Sequence, residues 1–296
     1  MDRFQAQYQR IKEDSGFIAA LDQSGGSTPG ALASYGITEN EFHSEAEMFE
    51  KIHEMRTRVM TDPRFTSDKI LGVILFDKTM KSKVEGVPTP SYLWEKHIVP
   101  FLKVDKGLEE KRNGVKLMKP MPDLDERLEE AASLGIFGTK MRSVIYELNS
   151  RGIEDIVSQQ FEVGRQILSH GLIPILEPEV DIHAPEKKDI EHLLKDAIKR
   201  YLDKLKGDEV IILKLTIPTT NNLYLELVHH PRVLRVFALS GGYSLDDANH
   251  FLIKNNGMIA SFSRALLNGL HKSQTNEEFS AALGRAIDSI YKASVS

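Results

Sequence analysis

No cysteine occurs among the 296 residues. Disulfides, thiolate-held metal and a cysteine nucleophile are therefore excluded. Long apolar runs are missing too: none approaches the ~20 residues of a membrane span. The N-terminus, Met1-Asp-Arg-Phe-Gln-Ala-Gln-Tyr8, is polar and lacks the apolar core of a signal peptide, so a cytoplasmic chain is expected. There is no excess of positive charge. Lysine plus arginine total 38 against 43 acidic residues, a net charge of -5, which offers nothing to nucleic acid or to an anionic membrane. Several motifs are incomplete. Gly25 and Gly30 have P-loop spacing, but Ala31-Leu32 stand where Lys-Ser/Thr is required, and no G-x-G-x-x-G follows the first strand. His53-Glu54 opens a zinc-protease pattern that Thr57 breaks. No histidine falls at a predicted strand C-terminal end; His183, just past Glu179, reads as a loop residue, so a histidine-built zinc site is not expected. No Pro/Ser-rich linker or short repeat divides the chain, and residues 1–296 read as one domain.

What is present is an alternation. Eight aliphatic runs read as buried strands, over 16–23, 69–76, 98–105, 136–142, 172–179, 210–218, 233–240 and 258–262. Helical spacing fills the gaps. Met48, Ile52, Met55 and Val59 share a face, as do Leu124, Leu128 and Ala131. Ile153, Ile156, Val157, Val163 and Ile167 do the same, followed by Ile190, Leu194, Ala197, Tyr201 and Leu205. A short helix is expected over 223–228. Ser244 with Asp247, and Thr275 with Glu278, mark helix starts, the second leading into Phe279, Leu283, Ala286 and Ile290. Eight such units predict an α/β fold, a single (β/α)8 TIM barrel; an open doubly wound sheet is the alternative.

Lys214 interrupts the sixth aliphatic run, Val210-Ile-Ile-Leu-Lys-Leu-Thr-Ile-Pro218. Apolar surroundings oppose an ammonium and favour the neutral amine, a nucleophile that forms a Schiff base with a carbonyl. The competing reading is a lysine that snorkels or pairs with a carboxylate inside the barrel. The other ionisable residues tilt the balance. Asp22, Lys103, Asp105, Lys140, Arg142, Glu177, Glu179, Ser240, Ser261, Ser263 and Arg264 gather at the C-terminal ends of the predicted strands. Barrel active sites are built there. Two serine-glycine corners, Ser24-Gly25-Gly26-Ser27 and Ser240-Gly241-Gly242, offer backbone N–H groups to anions, although each could be a simple turn. Two anion sites across one mouth suit a substrate with phosphate at both ends. Magnesium on Glu177, Glu179 and Asp105 is a second reading of the carboxylates.

Taken in order, these segments resemble class I fructose-1,6-bisphosphate aldolases. The matching stretches are Ala19-Ala-Leu-Asp-Gln-Ser-Gly-Gly-Ser27, Gly72-Val-Ile-Leu-Phe76, Lys103-Val-Asp-Lys-Gly107 and Lys140-Met-Arg142. They continue with Pro174-Ile-Leu-Glu-Pro-Glu179, Leu213-Lys-Leu215, Leu239-Ser-Gly-Gly242 and Ser261-Phe-Ser-Arg-Ala-Leu266. The resemblance implies a cofactor-free, metal-independent lyase acting on a sugar bisphosphate to give triose phosphates. Lys214 matches the Schiff-base lysine and Glu177 the carboxylate that moves protons during imine formation. Asp22 matches the aspartate near the hydroxyl that loses its proton, and Lys140 a lysine that positions and polarises substrate. Glu179 matches a supporting carboxylate. Ser240, Gly241, Ser263 and Arg264 match the phosphate site on the dihydroxyacetone side. Ser24, Ser27 and Lys103 match the site at the other end, and Arg142 is a further basic residue of the mouth.

Three departures accompany the resemblance. Gly30-Ala31 replace a basic pair of the animal members, and Met141 replaces an aromatic residue. The sequence ends at Ser296 without the tail whose terminal tyrosine exchanges a proton in the animal enzymes, and Tyr291 is not an evident substitute. The bacterial branch is the closer likeness. A catalytically silent sugar-phosphate sensor is the reading from outside enzymology.

Overall fold

The computed structural model describes residues 2–24 and 28–296. Eight parallel strands appear in the expected order. They are β1 (Phe17–Leu21), β2 (Ile70–Leu75), β3 (Val99–Lys103) and β4 (Gly138–Ile145). β5 (Ile173–Val180), β6 (Ile211–Thr216), β7 (Val233–Leu239) and β8 (Met258–Phe262) follow. Each pairs with its neighbour in sequence, and β8 pairs back onto β1 with Ile18 opposite Ser261. The sheet therefore closes into a (β/α)8 barrel, and the open doubly wound alternative falls. Parallel neighbours cannot be joined by tight turns, so helices carry the crossovers.

The period of two in each strand makes two cores. Inward side chains such as Ile18, Phe101, Ile175, Ile212, Phe237 and Ile259 plug the barrel. Phe101 lies edge-on to Phe137 at 5.6 Å and to Phe237 at 6.4 Å between ring centroids, contacts worth about 0.5–1.5 kcal/mol each beyond area burial. Outward residues of the same strands, including Leu102, Leu176, Leu213 and Ala238, pack with the helices into a second shell. The helix starts follow their signals. Ser244 accepts from the Asp247 N–H at 3.1 Å, and Thr275 with Glu278 forms a full capping box.

Strand ends fall one or two residues inside the expected runs, and three other boundaries differ. β4 runs three residues past Arg142 because Val144 and Ile145 gain antiparallel partners in Lys116 and Val115. That short strand belongs to the 104–123 excursion, whose two-residue pairing leaves no period to read. The helix expected to include Leu205 ends at Leu202, and the one expected from 223 starts at Leu225. Among the described residues no helix is long and apolar enough to cross a membrane.

Candidate active site

One structural rule places the polar residues. Side chains two apart on a strand share a face. On β1 the inward positions Ile18 and Ala20 lead to Asp22. On β3, Val99 and Phe101 lead to Lys103; on β5, Ile173 and Ile175 lead to Glu177 and Glu179; on β6, Ile212 leads to Lys214. The lower inward positions fill the barrel, and the next ones up open to its C-terminal mouth. The register then sets neighbours. Leu176 on β5 stands opposite Leu213 on β6, so Glu177 and Lys214, the next residue on each strand, lie side by side.

The result is an alternating run of charge. Lys214 Nζ lies 2.9 Å from Glu177 Oε1. Lys140 Nζ lies 2.9 Å from Glu177 Oε2 and 2.7 Å from Asp22 Oδ2. All four residues are buried, with exposures of 4% for Lys214, 3% for Glu177, 3% for Lys140 and 8% for Asp22. The pairing expected of a merely structural lysine is thus present. The difference is that its carboxylate is shared with a second lysine. Oε2 of Glu177 has ion-pair distance but no aligned hydrogen bond, which leaves it acceptor capacity.

The electrostatics follow from this packing. Burial pushes the Glu177 carboxyl up, but Lys140 and Lys214 pull it further down, to a net position below its ordinary range. Asp22 behaves alike: burial raises it, while Lys140 and Lys214 hold it well below the usual carboxylate range. Burial lowers the Lys140 ammonium, and Asp22 and Glu177 more than offset that, so it stays charged.

A second tier of pairs lies at the mouth. Lys103 Nζ lies 2.7 Å from Asp105 Oδ1 and donates to the Asp105 carbonyl at 3.0 Å. The Arg142 N–H donates to Asp105 Oδ2 at 3.2 Å, and Arg142 Nε donates to Glu179 Oε2 at 2.5 Å. Opposite them, the chain turns at Ser240. Gly241 and Gly242 have φ of +59° and +117°, where a side chain would be strained. A Cβ on Gly242 would sit 3.6 Å from Arg264 Nη2, so this turn and Arg264 share one corner. Arg264 is exposed and forms no ion pair among the described residues. Ser263 Oγ accepts from Gln23 Nε2 at 2.5 Å. Ser24 follows that glutamine and is half-buried. Ser27, with Gly25 and Gly26, lies outside the described residues.

The remaining residues singled out in the sequence lie away from the mouth or are already paired. Met141 is fully buried in the outer shell, away from the mouth. Tyr291 packs against the same shell. His183 is exposed on a loop. Among the described residues no three acids or histidines gather as a metal site. The three carboxylates considered for magnesium each face a cation: Glu177 the two lysines, Glu179 Arg142, Asp105 Lys103. Ser261, already named at the end of the eighth strand, and Arg56, which the motifs passed over, stand out. The Ser261 hydroxyl is buried on the inward face of β8 with no partner among the described residues. Arg56 is fully buried behind Asp22 and Gln23. Its position had a signal: it falls four residues after Ile52 and three before Val59, on the apolar stripe of its helix.

The chain is similar to known proteins in sequence and in fold. A family model described as glycolytic, fructose-bisphosphate aldolase class-I, matches residues 5–205. A relative from Porphyromonas gingivalis named fructose-bisphosphate aldolase class 1 is 57% identical over 290 residues, covering 98% of each chain. Two solved structures share the fold. Fructose-bisphosphate aldolase from Plasmodium falciparum, in complex with TRAP and a small-molecule inhibitor, has a TM-score of 0.78 at 20% identity, covering 99% of this chain and 94% of that one. A Corynebacterium glutamicum protein has a TM-score of 0.53 at 12% identity, over 98% and 92% of the two chains.

Proposed function

The chain belongs to the class I fructose-bisphosphate aldolase family, and we propose that it cleaves fructose 1,6-bisphosphate reversibly through an imine on Lys214. The products are dihydroxyacetone phosphate and glyceraldehyde 3-phosphate. The observation that supports this best is the buried run Lys214–Glu177–Lys140–Asp22, with every neighbour within 2.9 Å.

Each step has a group within reach. Lys214 passes its ammonium proton to Glu177 and adds as the neutral amine to the C2 carbonyl, whose oxygen takes that proton. Glu177 then accepts a proton from the carbinolamine nitrogen and returns it to the departing hydroxyl, and water leaves. The iminium accepts the electron pair when the C3–C4 bond breaks, and Asp22, ionised at neutral pH, takes the C4 hydroxyl proton. The aldehyde product departs. Protonation of the enamine at C3 and hydrolysis then free the amine. Lys140 holds Glu177 and Asp22 at a fixed spacing and offers its charge to substrate oxygens. Ser240, Gly241, Ser263 and Arg264 take the phosphate on the dihydroxyacetone side. Ser24, Ser27 and Lys103 take the other, with Arg142 beside them under the hold of Glu179. The anchors supply binding energy that orients the reacting bond. One catalytic domain over residues 1–296, supported by the unbroken barrel order, and a cytoplasmic setting, in keeping with a family described as glycolytic, belong to the same reading.

Lys214→Ala should abolish cleavage in a coupled assay while the far-ultraviolet circular dichroism stays that of the wild type. EDTA should leave the wild-type rate unchanged. Retained turnover in the variant overturns the assignment, and a chelator-sensitive rate restored by magnesium favours the carboxylate-metal reading instead.

A further inference from the structure

Arg56 lies on the helix Glu45–Thr61, is 0% exposed and forms no ion pair among the described residues. Its terminal nitrogens donate to neutral acceptors, and Nε is buried with no partner among the described residues. Nη1 reaches Thr79 Oγ1 at 2.7 Å, and Nη2 reaches the Gln23 carbonyl at 2.5 Å and Gln23 Oε1 at 3.3 Å. Gln23 extends the contact, since its Nε2 donates to Ser263 Oγ at 2.5 Å. One guanidinium therefore ties together the segments that follow β2, β1 and β8, three adjacent strands of the barrel.

A buried cation without a hydrogen-bonded carboxylate costs several kcal/mol. Three neutral acceptors do not require a charge. What arginine adds is a planar set of donors at fixed angles, always protonated. Asp22, the residue before Gln23, is the acid whose field acts on Arg56. The two ends of the Gln23–Ser263 bond sit next to functional neighbours at the ends of different strands: Gln23 follows Asp22, and Ser263 precedes Arg264. A ketose anchored by its phosphate at the β8 corner must present its C4 hydroxyl to the β1 carboxylate. A misplacement of about 1 Å between such groups can cost about a hundredfold in rate.

We propose that Arg56 is a positioning residue which, through Gln23 and Ser263, fixes the distance between the Asp22 carboxylate and the anion corner at the end of β8. The role rests on the aldolase reading above. It makes the Arg56–Gln23–Ser263 relay a determinant of turnover rather than of imine formation, because Lys214 and Glu177 lie on β5 and β6, outside the relay.

The test uses Gln23→Leu, Ser263→Ala, their combination and Arg56→Lys in the full chain. For each, kcat for fructose 1,6-bisphosphate is divided by the concentration of sites trapped on Lys214 by borohydride with dihydroxyacetone phosphate. Gln23→Leu should trap as fully as wild type and lose about tenfold in kcat per trapped site. Inhibition by inorganic phosphate should change less than twofold. Ser263 also takes phosphate, so its variants are compared in kcat at saturating substrate, where that contact is already made good in KM; there the double variant should be no slower than the slower single, because both break one link. Arg56→Lys keeps the charge without the planar fork and should lose at least as much as Gln23→Leu. If it fails to fold, the Gln23–Ser263 pair still decides. A purely structural role would lower the trapped fraction and leave kcat per trapped site unchanged; that result, or losses that multiply in the double variant, overturns the proposal. Absence of any adduct in the wild type would overturn the aldolase reading itself and this inference with it.

Discussion

Replacing Lys140 by methionine isolates the arrangement of charge on which the site depends. The change removes a cation 2.7 Å from Asp22 and 2.9 Å from Glu177 and keeps much of the apolar stem. Glu177 retains Lys214 at 2.9 Å, whereas Asp22 loses its one ion pair among the described residues. Removing one partner of a buried pair costs about 3–5 kcal/mol. Lys214 and Lys103 still act on Asp22 at longer range, so the lower end, about 3 kcal/mol at pH 7.5, is expected. The pH dependence should also reverse. In the wild type both carboxyls titrate below their ordinary values. Their stabilisation is present above the unfolded values of about 4 and is lost as the pH falls below them, because the unfolded chain then binds more protons. In the variant an unpaired, buried Asp22 should titrate above its ordinary value. The folded state then binds the extra proton, and stability rises as the pH falls from 7.5 to 5.5, by about 1.4 kcal/mol for each unit by which the folded value exceeds 5.5. Urea midpoints followed by circular dichroism at the two pH values measure this. Asp22→Asn added to Lys140→Met should recover stability at pH 7.5 and remove the reversal. A variant as stable as wild type at pH 7.5, or one that weakens on going to pH 5.5, would refute the reasoning.

Other expectations concern the anion corner and the scaffold. Arg264→Ala should raise KM for fructose 1,6-bisphosphate by about tenfold, the value of one charge-assisted contact of roughly 1.4 kcal/mol, and change KM for fructose far less; equal effects on both would count against an anion role. Gly241→Ala forces a side chain into φ +59° with its Cβ 2.7 Å from Ile182 Cγ2. It should cost about 1–2 kcal/mol in urea unfolding and weaken phosphate inhibition; an unchanged midpoint would show that the turn can relax. Thr275→Ala removes the hydroxyl half of a capping box and should cost about 1 kcal/mol with no change in kcat, a selectivity that a loss of activity would contradict.

The sequence exposed the barrel because eight aliphatic runs alternate with helical spacing, and because polar residues such as Asp22 and Glu177 close those runs at one end. That Ile18, Ala20 and Asp22 share a face, as do Ile173, Ile175 and Glu177, is what turns those ends into one site. Lys214 was legible as an anomaly in an aliphatic run. Its partner was not, since the 2.9 Å contact with Glu177 depends on the register of β5 against β6. The division of labour between the lysines was equally hidden: Lys140 bridges two carboxylates while Lys214 touches one. The Asp105 carboxylate, which receives both Lys103 Nζ and the Arg142 N–H, lies two residues beyond β3, where no period survives. Arg56 was masked by its neighbours, because a cation on a helix stripe reads as a solvated side chain until coordinates show it buried.

The central claim is a covalent one, and reductive trapping addresses it most directly. The protein is incubated with dihydroxyacetone phosphate and borohydride, digested, and its peptides are weighed and sequenced by mass spectrometry. A single reduced adduct on Lys214 is expected, lost when Glu177→Gln slows imine formation. An unmodified chain, or an adduct confined to Lys140 or to surface lysines, would contradict it.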